Sequence, residues 1–165
     1  MSIWIQERDI ELIQRIALVL NNENVNINRR VFTDGKQPQV NINIGSVELV
    51  NYLISNYGFS NNKSKTLPFP LFLNNPLPYL RGYFDGNGYM GLSCCFSTGS
   101  ENFANGLLEW VFKKYSIIPN VQVVGTNKDS FNIHFRKKHE FFIRDLFQYP
   151  GLNRKTENYL HYLPN

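Results

Sequence analysis

The stretch Pro78-Tyr79-Leu80-Arg81-Gly82-Tyr83-Phe84-Asp85-Gly86-Asn87-Gly88 lies near the middle of a 165-residue chain and decides how the rest is read. Large apolar residues recur at helical spacing from Leu77 to Phe84, and Gly82 and Gly86 fall four residues apart on one face. Glycine inside a helix costs about 1 kcal/mol relative to alanine, so two at this spacing need a reason. Close approach of a second helix backbone to a face without side chains is one such reason. The run Gly86-Asn87-Gly88 then ends the helix and leaves Asp85 and Asn87 at its C-terminal tip. The same spacing also fits an amphipathic core helix closed by a glycine cap and an Asn-Gly turn.

These residues resemble the core motif of the LAGLIDADG homing endonuclease family. That motif is an apolar pair around a glycine, two further apolar residues, an acid, a small residue, a catalytic acid and a glycine. Leu80, Arg81, Gly82, Tyr83, Phe84, Asp85, Gly86, Asn87 and Gly88 fill those places in order, except that Asn87 stands where the family has Asp or Glu. The resemblance implies an α+β fold of two αββαββα-type halves, each a mixed antiparallel sheet with flanking helices. It also implies that Leu80, Gly82, Tyr83 and Gly86 pack against a second helix of the same kind. The catalytic centre would gather Asn87, Asp85 and the basic Lys63 and Lys155, with Asn87 and the Gly86 backbone as metal ligands. In the family the acid binds the divalent metal that activates water against a DNA phosphate. A neutral amide holds a hard cation such as Mg2+ poorly, so Mg2+ is the expected cofactor only if the protein cleaves, and none is expected otherwise.

With 165 residues the chain is long enough for one ordinary domain or two small joined halves, and an apolar fraction of 42% argues for a folded core. The net charge of +4 leans toward a polyanionic partner. Adjacent Cys94 and Cys95 would point to opposite faces of a strand and have no zinc-ligand set around them, as expected in a reducing compartment. No signal-peptide pattern and no membrane-length apolar run are present, which predicts a cytoplasmic protein with no membrane partner. The abundance of Asn, Lys and Ile suggests a phage or low-GC bacterial source.

In chain order, Ser2 to Gln6 alternates as a strand, and Asp9 caps a helix carrying Ile10, Ile13, Ile16 and Leu20. Val25 to Phe32 and Gln39 to Ile44 form a hairpin around Thr33-Asp34-Gly35-Lys36, and a second helix runs from Ser46 to near Gly58. Asn61 to Thr66 reads as a polar basic loop, and Pro68, Pro70, Pro76 and Pro78 keep the following connection extended. Past Gly88 come a strand from Tyr89 to Ser97, a helix from Glu101 to Tyr115 and a hairpin of Val121 to Gly125 with Ser130 to Arg136. A helix from His139 to Phe147, the basic segment Gly151 to Thr156 and a short helix with Tyr159, Leu160 and Tyr162 complete the chain. The order of elements from Tyr89 repeats the order from Ser2, which indicates duplication. Residues 1–76 then form a first half without its opening helix, and residues 77–165 a second half opened by the motif helix 77–88.

In the family, strand side chains of the two sheets read base edges in the major groove. The corresponding positions are Asn28, Arg29, Arg30, Lys36, Gln39, Asn41 and Asn43 in the first half. Lys128, Asn132, His134, Arg136, Lys137, Lys138 and Arg154 occupy them in the second. Asn suits adenine and Arg suits guanine, although a solvated antiparallel face is also polar. The expected function is duplex-DNA binding with little or no cleavage, as in a repressor, a maturase-like factor or a remnant. An active metal-dependent endonuclease is the first alternative, formed as a homodimer through residues 77–86 or with a complementing chain. A phage-encoded module that grips a host protein is the second.

Overall fold

In the computed structural model, which describes residues 1–20, 26–35, 37–60, 62–126 and 129–162, two antiparallel sheets form, one in each of the units Met1–Asn51 and Tyr52–Asn165. The first unit contains β1 (Ser2–Gln6), α1 (Ile10–Val19), β2 (Asn28–Arg30) and β3 (Gln39–Asn43), and the division falls within α2 (Val47–Tyr57). Its sheet order is β1-β3-β2, with Trp4 opposite Asn41 and Asn28 opposite the same Asn41. Ile13, Val40 and Ile42 are its buried centre, and Ile3, Ile5, Ile10, Ile16 and Ile44 pack around them. The period of two in β1 and β3 therefore puts isoleucine and valine on one face and amides on the other.

The second unit holds α3 (Lys63–Thr66), α4 (Leu77–Asn87), β4 (Gly88–Met90), β5 (Cys94–Thr98), α5 (Glu101–Tyr115), β6 (Asn120–Val124), β7 (Ser130–Phe135), α6 (Glu140–Phe147) and α7 (Asn153–Tyr162). Its sheet order is β4-β5-β7-β6, all antiparallel. The order β5-β7-β6 repeats β1-β3-β2, each with a helix after its first strand and a hairpin after the helix. Aromatic packing dominates this core, with Phe84 at 5.2 Å from Phe96 and 5.6 Å from Phe147, ring centre to ring centre. Ser100 caps α5 by accepting the Phe103 N–H at 3.2 Å, and its hydroxyl donates to the Leu67 carbonyl at 2.6 Å.

Several local expectations need correction. Tyr89 to Ser97 is a hairpin of two strands, because Gly91-Leu92-Ser93 turns the chain and leaves Leu92 wholly exposed. Lys63–Thr66 is a helical turn where a loop was expected, since the Asn62 carbonyl accepts from the backbone N–H groups of Lys65 and Thr66. Asn153 to Thr156 already belong to the last helix, α7. Asp9 occupies the N-cap of α1, yet its carboxylate does not bond the first turn. Gly58, at φ +64, does end α2 in the left-handed conformation that favours glycine. Val25, Lys36 and Lys128, named in the hairpin and interface expectations, lie outside the described residues.

Candidate nucleic-acid interface

Strand alternation decides which side chains each sheet displays. On the outer face of the first sheet, Ser2, Trp4 and Gln6 of β1 stand opposite Asn43, Asn41 and Gln39 of β3, and Asn28 and Arg30 of β2 extend two of these rows. Five of the expected first-half residues, Asn28, Arg30, Gln39, Asn41 and Asn43, thus share one face. Arg29 does not. It pairs with Val40 on the opposite face, and its guanidinium meets Glu7 at 2.5 Å, which raises its pKa. The second sheet repeats the pattern, with Ser97, Asn132 and Gln122 in one row and Tyr89, Cys95, His134 and Asn120 in the next. The Ser97 hydroxyl donates to Asn132 at 2.8 Å, and His134 Nδ1 lies 3.0 Å from the Ser93 hydroxyl. Arg136, Lys137 and Lys138 follow β7 directly and are exposed, while Arg154 sits partly exposed in the first turn of α7.

Helix α4 has two unlike faces. Leu77, Leu80, Arg81, Phe84 and Asp85 are buried. Leu80 consequently belongs to the core of its own unit and not to the glycine face. Gly82 and Gly86 are exposed, and a methyl group added at either would meet nothing within 4 Å among the described residues. Beside them Tyr83 stacks on Phe103 with centroids 4.0 Å apart, and Tyr79 stacks on Tyr57 at 5.9 Å. Burial foremost, then Tyr83 and Tyr57, pushes the Tyr79 phenol up to about 12. The result is a groove of about 580 Å³ walled by Phe59, Leu67, Tyr79, Gly82 and Tyr83. Its polar rim includes Lys63, Asn87, Ser97 and Ser130.

At the tip of α4 the residues expected to be catalytic separate into two sets. Asn87 and Lys63 are exposed on the groove, the latter with its ammonium 5.2 Å from the Phe59 ring centre. Asp85 and Lys155 are 6% and 3% exposed and face inward, so neither reaches an external phosphate. Asp85 accepts from Arg81 Nε at 3.3 Å and from the Leu152 N–H at 3.0 Å. Burial raises its pKa above the ordinary carboxylate range, and Arg81, the Leu152 N–H and Lys155 pull against that rise. Arg81 also donates to the Tyr149 carbonyl at 3.1 Å and the Thr156 hydroxyl at 2.9 Å, and its guanidinium carbon lies 4.4 Å from the Phe147 ring centre. The Lys155 ammonium donates to the carbonyls of Phe84 at 2.5 Å, Asp85 at 2.7 Å and Gly88 at 2.7 Å, closing the C-terminal end of the helix. A Cβ at Gly151 would lie 2.2 Å from Asp85 Oδ2, which explains the glycine there. Spacing gave no hint of this network beyond the i, i+4 relation of Arg81 and Asp85, because its other partners lie some seventy residues away.

The donor set at the tip does not fit a hard divalent cation. Asp85 is committed to Arg81 and Leu152, Asn87 is neutral, and among the described residues no three His, Cys, Asp or Glu side chains come together. The two cysteines of β5 are not bonded to each other. Among the described residues no helix is long and apolar enough to cross a membrane.

No protein-family model matches the chain, and neither does any curated protein. Solved structures do. A structure of mesophilic variants from the homing endonuclease I-DmoI aligns over 90% of this chain and 80% of its own length, with a TM-score of 0.58 at 9% identity. I-DmoI in complex with DNA and Mn aligns over 88% of this chain and 79% of its own, with a TM-score of 0.53 at 10% identity. At such identity the likeness is one of fold, and the chain has the α+β homing-endonuclease fold.

Proposed function

We propose that the chain binds duplex DNA through the outer faces of its two sheets and cleaves it little or not at all. The observation that carries this reading is the repeated display of amides on β1-β3-β2 and β5-β7-β6, on a fold whose solved relative holds DNA. Asn, Gln, Arg and His on a two-stranded ribbon suit the donor and acceptor pattern of the major groove. Arg136, Lys137, Lys138 and Arg154 suit phosphate contacts, which position the protein and make affinity fall with salt. Asn87 and Lys63 take the place of a cleavage centre, without a carboxylate there to bind metal. Such a protein acts as a repressor or a maturase-like factor, or persists as a remnant. Mobility shifts on random duplex over a salt series test this. A retarded band that weakens steeply with salt is expected, and its absence at low salt would sink the reading. Plasmid incubated with Mg2+ or Mn2+ is expected to stay intact, and nicking by the unaltered protein would favour the rival, an active endonuclease. Nicking that appears only in Asn87→Asp would place the missing carboxylate as the cause.

We further propose that the open glycine face of α4 receives a second helix from another copy of this chain, in contact through residues 77–86. Phe59, Leu67, Tyr79 and Tyr83 give the groove apolar walls, and among the described residues nothing obstructs Gly82 or Gly86. Leucine at position 82 is expected to fill that space and keep the protein monomeric. It is also expected to raise helix stability by about 1 kcal/mol as glycine is lost. Light scattering behind a sizing column reads the first effect and urea unfolding the second. A dimer that survives Gly82→Leu would point to a different contact, and an unaltered protein that is monomeric at every concentration would leave the helix to a complementing chain or the face to a host protein.

A further inference from the structure

Trp4 stands in the middle of the polar outer face of β1-β3-β2 and is 47% exposed. Its cross-strand partner is Asn41, and Gln6 is the next residue of β1 on the same face. Among the described residues the side-chain oxygens of Asn41 and Gln6 are buried without a hydrogen-bond partner, and Asn41 as a whole is only 4% exposed. Buried acceptors nearly always have a donor, so two of them flanking one half-exposed aromatic ring need an explanation that the fold does not give.

We propose that this face selects A·T base pairs. Asn41 accepts the one amine N–H that a paired adenine leaves free in the major groove, Gln6 accepts that of an adjoining adenine, and the Trp4 indole packs on the 5-methyl group of the thymine paired with the first. The inference rests on the duplex-binding reading above. In the major groove adenine and cytosine present amine donors, guanine presents only acceptors, and thymine alone carries a methyl group. An unmet acceptor beside an apolar ring is matched by one pair, A·T. Guanine would set acceptor against acceptor, and cytosine would satisfy the amides while leaving the indole without its methyl. In the free protein both oxygens are shielded, so a base edge reaches them once side chains on this face turn, a common adjustment on binding. Their unmet hydrogen-bonding capacity favours that turn.

The test selects bound sequences for the full chain from a randomised duplex library. The selected duplexes are then rebuilt with uracil in place of thymine, which removes the methyl, or purine in place of adenine, which removes the amine. Each replacement at the contacted pair is expected to weaken binding about tenfold. Trp4→Ala is expected to lose the response to uracil and keep the response to purine, and Asn41→Ala the reverse. Selected duplexes that bind the unaltered protein equally well after both replacements would overturn the inference while leaving duplex binding intact. A library with no bound fraction at low salt would instead remove the duplex reading beneath it. The base-analogue arms use unaltered protein, so a folding defect in a variant cannot imitate the result.

Discussion

Replacing Asp85 with alanine is expected to lower the free energy of unfolding by about 3–5 kcal/mol, a loss large enough to unfold a marginal domain. The cost comes less from the ion pair itself than from the charge it strands. Arg81 is fully buried, and without Asp85 its guanidinium keeps only neutral acceptors, the Tyr149 and Leu152 carbonyls and the Thr156 hydroxyl. Protonation of Asp85 is a milder change than its removal, because the acid still offers acceptor oxygens to Arg81 and to the Leu152 N–H. Burial raises the pKa of Asp85 despite Arg81, so the stability linked to this carboxyl is fullest below the ordinary carboxylate range and declines as pH rises through the raised value. Exchanging both partners, Arg81→Met with Asp85→Leu, is therefore expected to recover most of what the single change loses. Urea unfolding of the two variants beside the unaltered protein gives the answer, and a single variant with an unchanged midpoint would show that the pair does not hold the C-terminal segment to α4.

Lys155→Met carries the second large effect. Methionine keeps much of the apolar stem but removes the ammonium that three carbonyls at the end of α4 share, and a loss of about 3 kcal/mol is expected. The change also loosens the helix tip that presents Asn87. Amide exchange at Asp85 to Gly88 is expected to speed up more than exchange in β7, even where the variant remains folded. Uniform acceleration across both segments would mean that Lys155 supports the whole unit and does not specifically close the helix. Lys155, placed in the catalytic centre by the family resemblance, here spends its ammonium on three backbone carbonyls. Its place beside the motif tip follows from chain topology, while its inward direction follows from the acceptors waiting there.

Much of the fold is legible from periodicity because the signals are local. Ile3 and Ile5 alternate as a half-buried strand must, Ser100 and the apolar residues after it bound α5, and Gly58 sits where a helix ends in the left-handed region. The bend at Gly91-Leu92-Ser93 was hidden because Tyr89 to Ser97 has enough β-forming residues on either side to read as one strand. The amide positions of the sheets were also legible, since alternation alone sorts Gln39, Asn41 and Asn43 from Val40 and Ile42. Arg29 shows the limit of that reading. It lies between two outward residues and so belongs to the other face.

By itself, then, the sequence determined most of the elements, the repeat of their order, the bare glycine face of α4 and the neutral amide at its tip. These depend on spacings of a few residues, which backbone geometry turns directly into faces and ends. Tertiary structure alone decided which polar groups find partners within the fold. Asp85 and Lys155 meet acceptors and donors brought from seventy residues away, whereas Trp4, Asn41 and Gln6 come together only through the register of β1 on β3. A side chain's chemistry is set by its type, but its freedom to act is set by what the fold has already bonded to it.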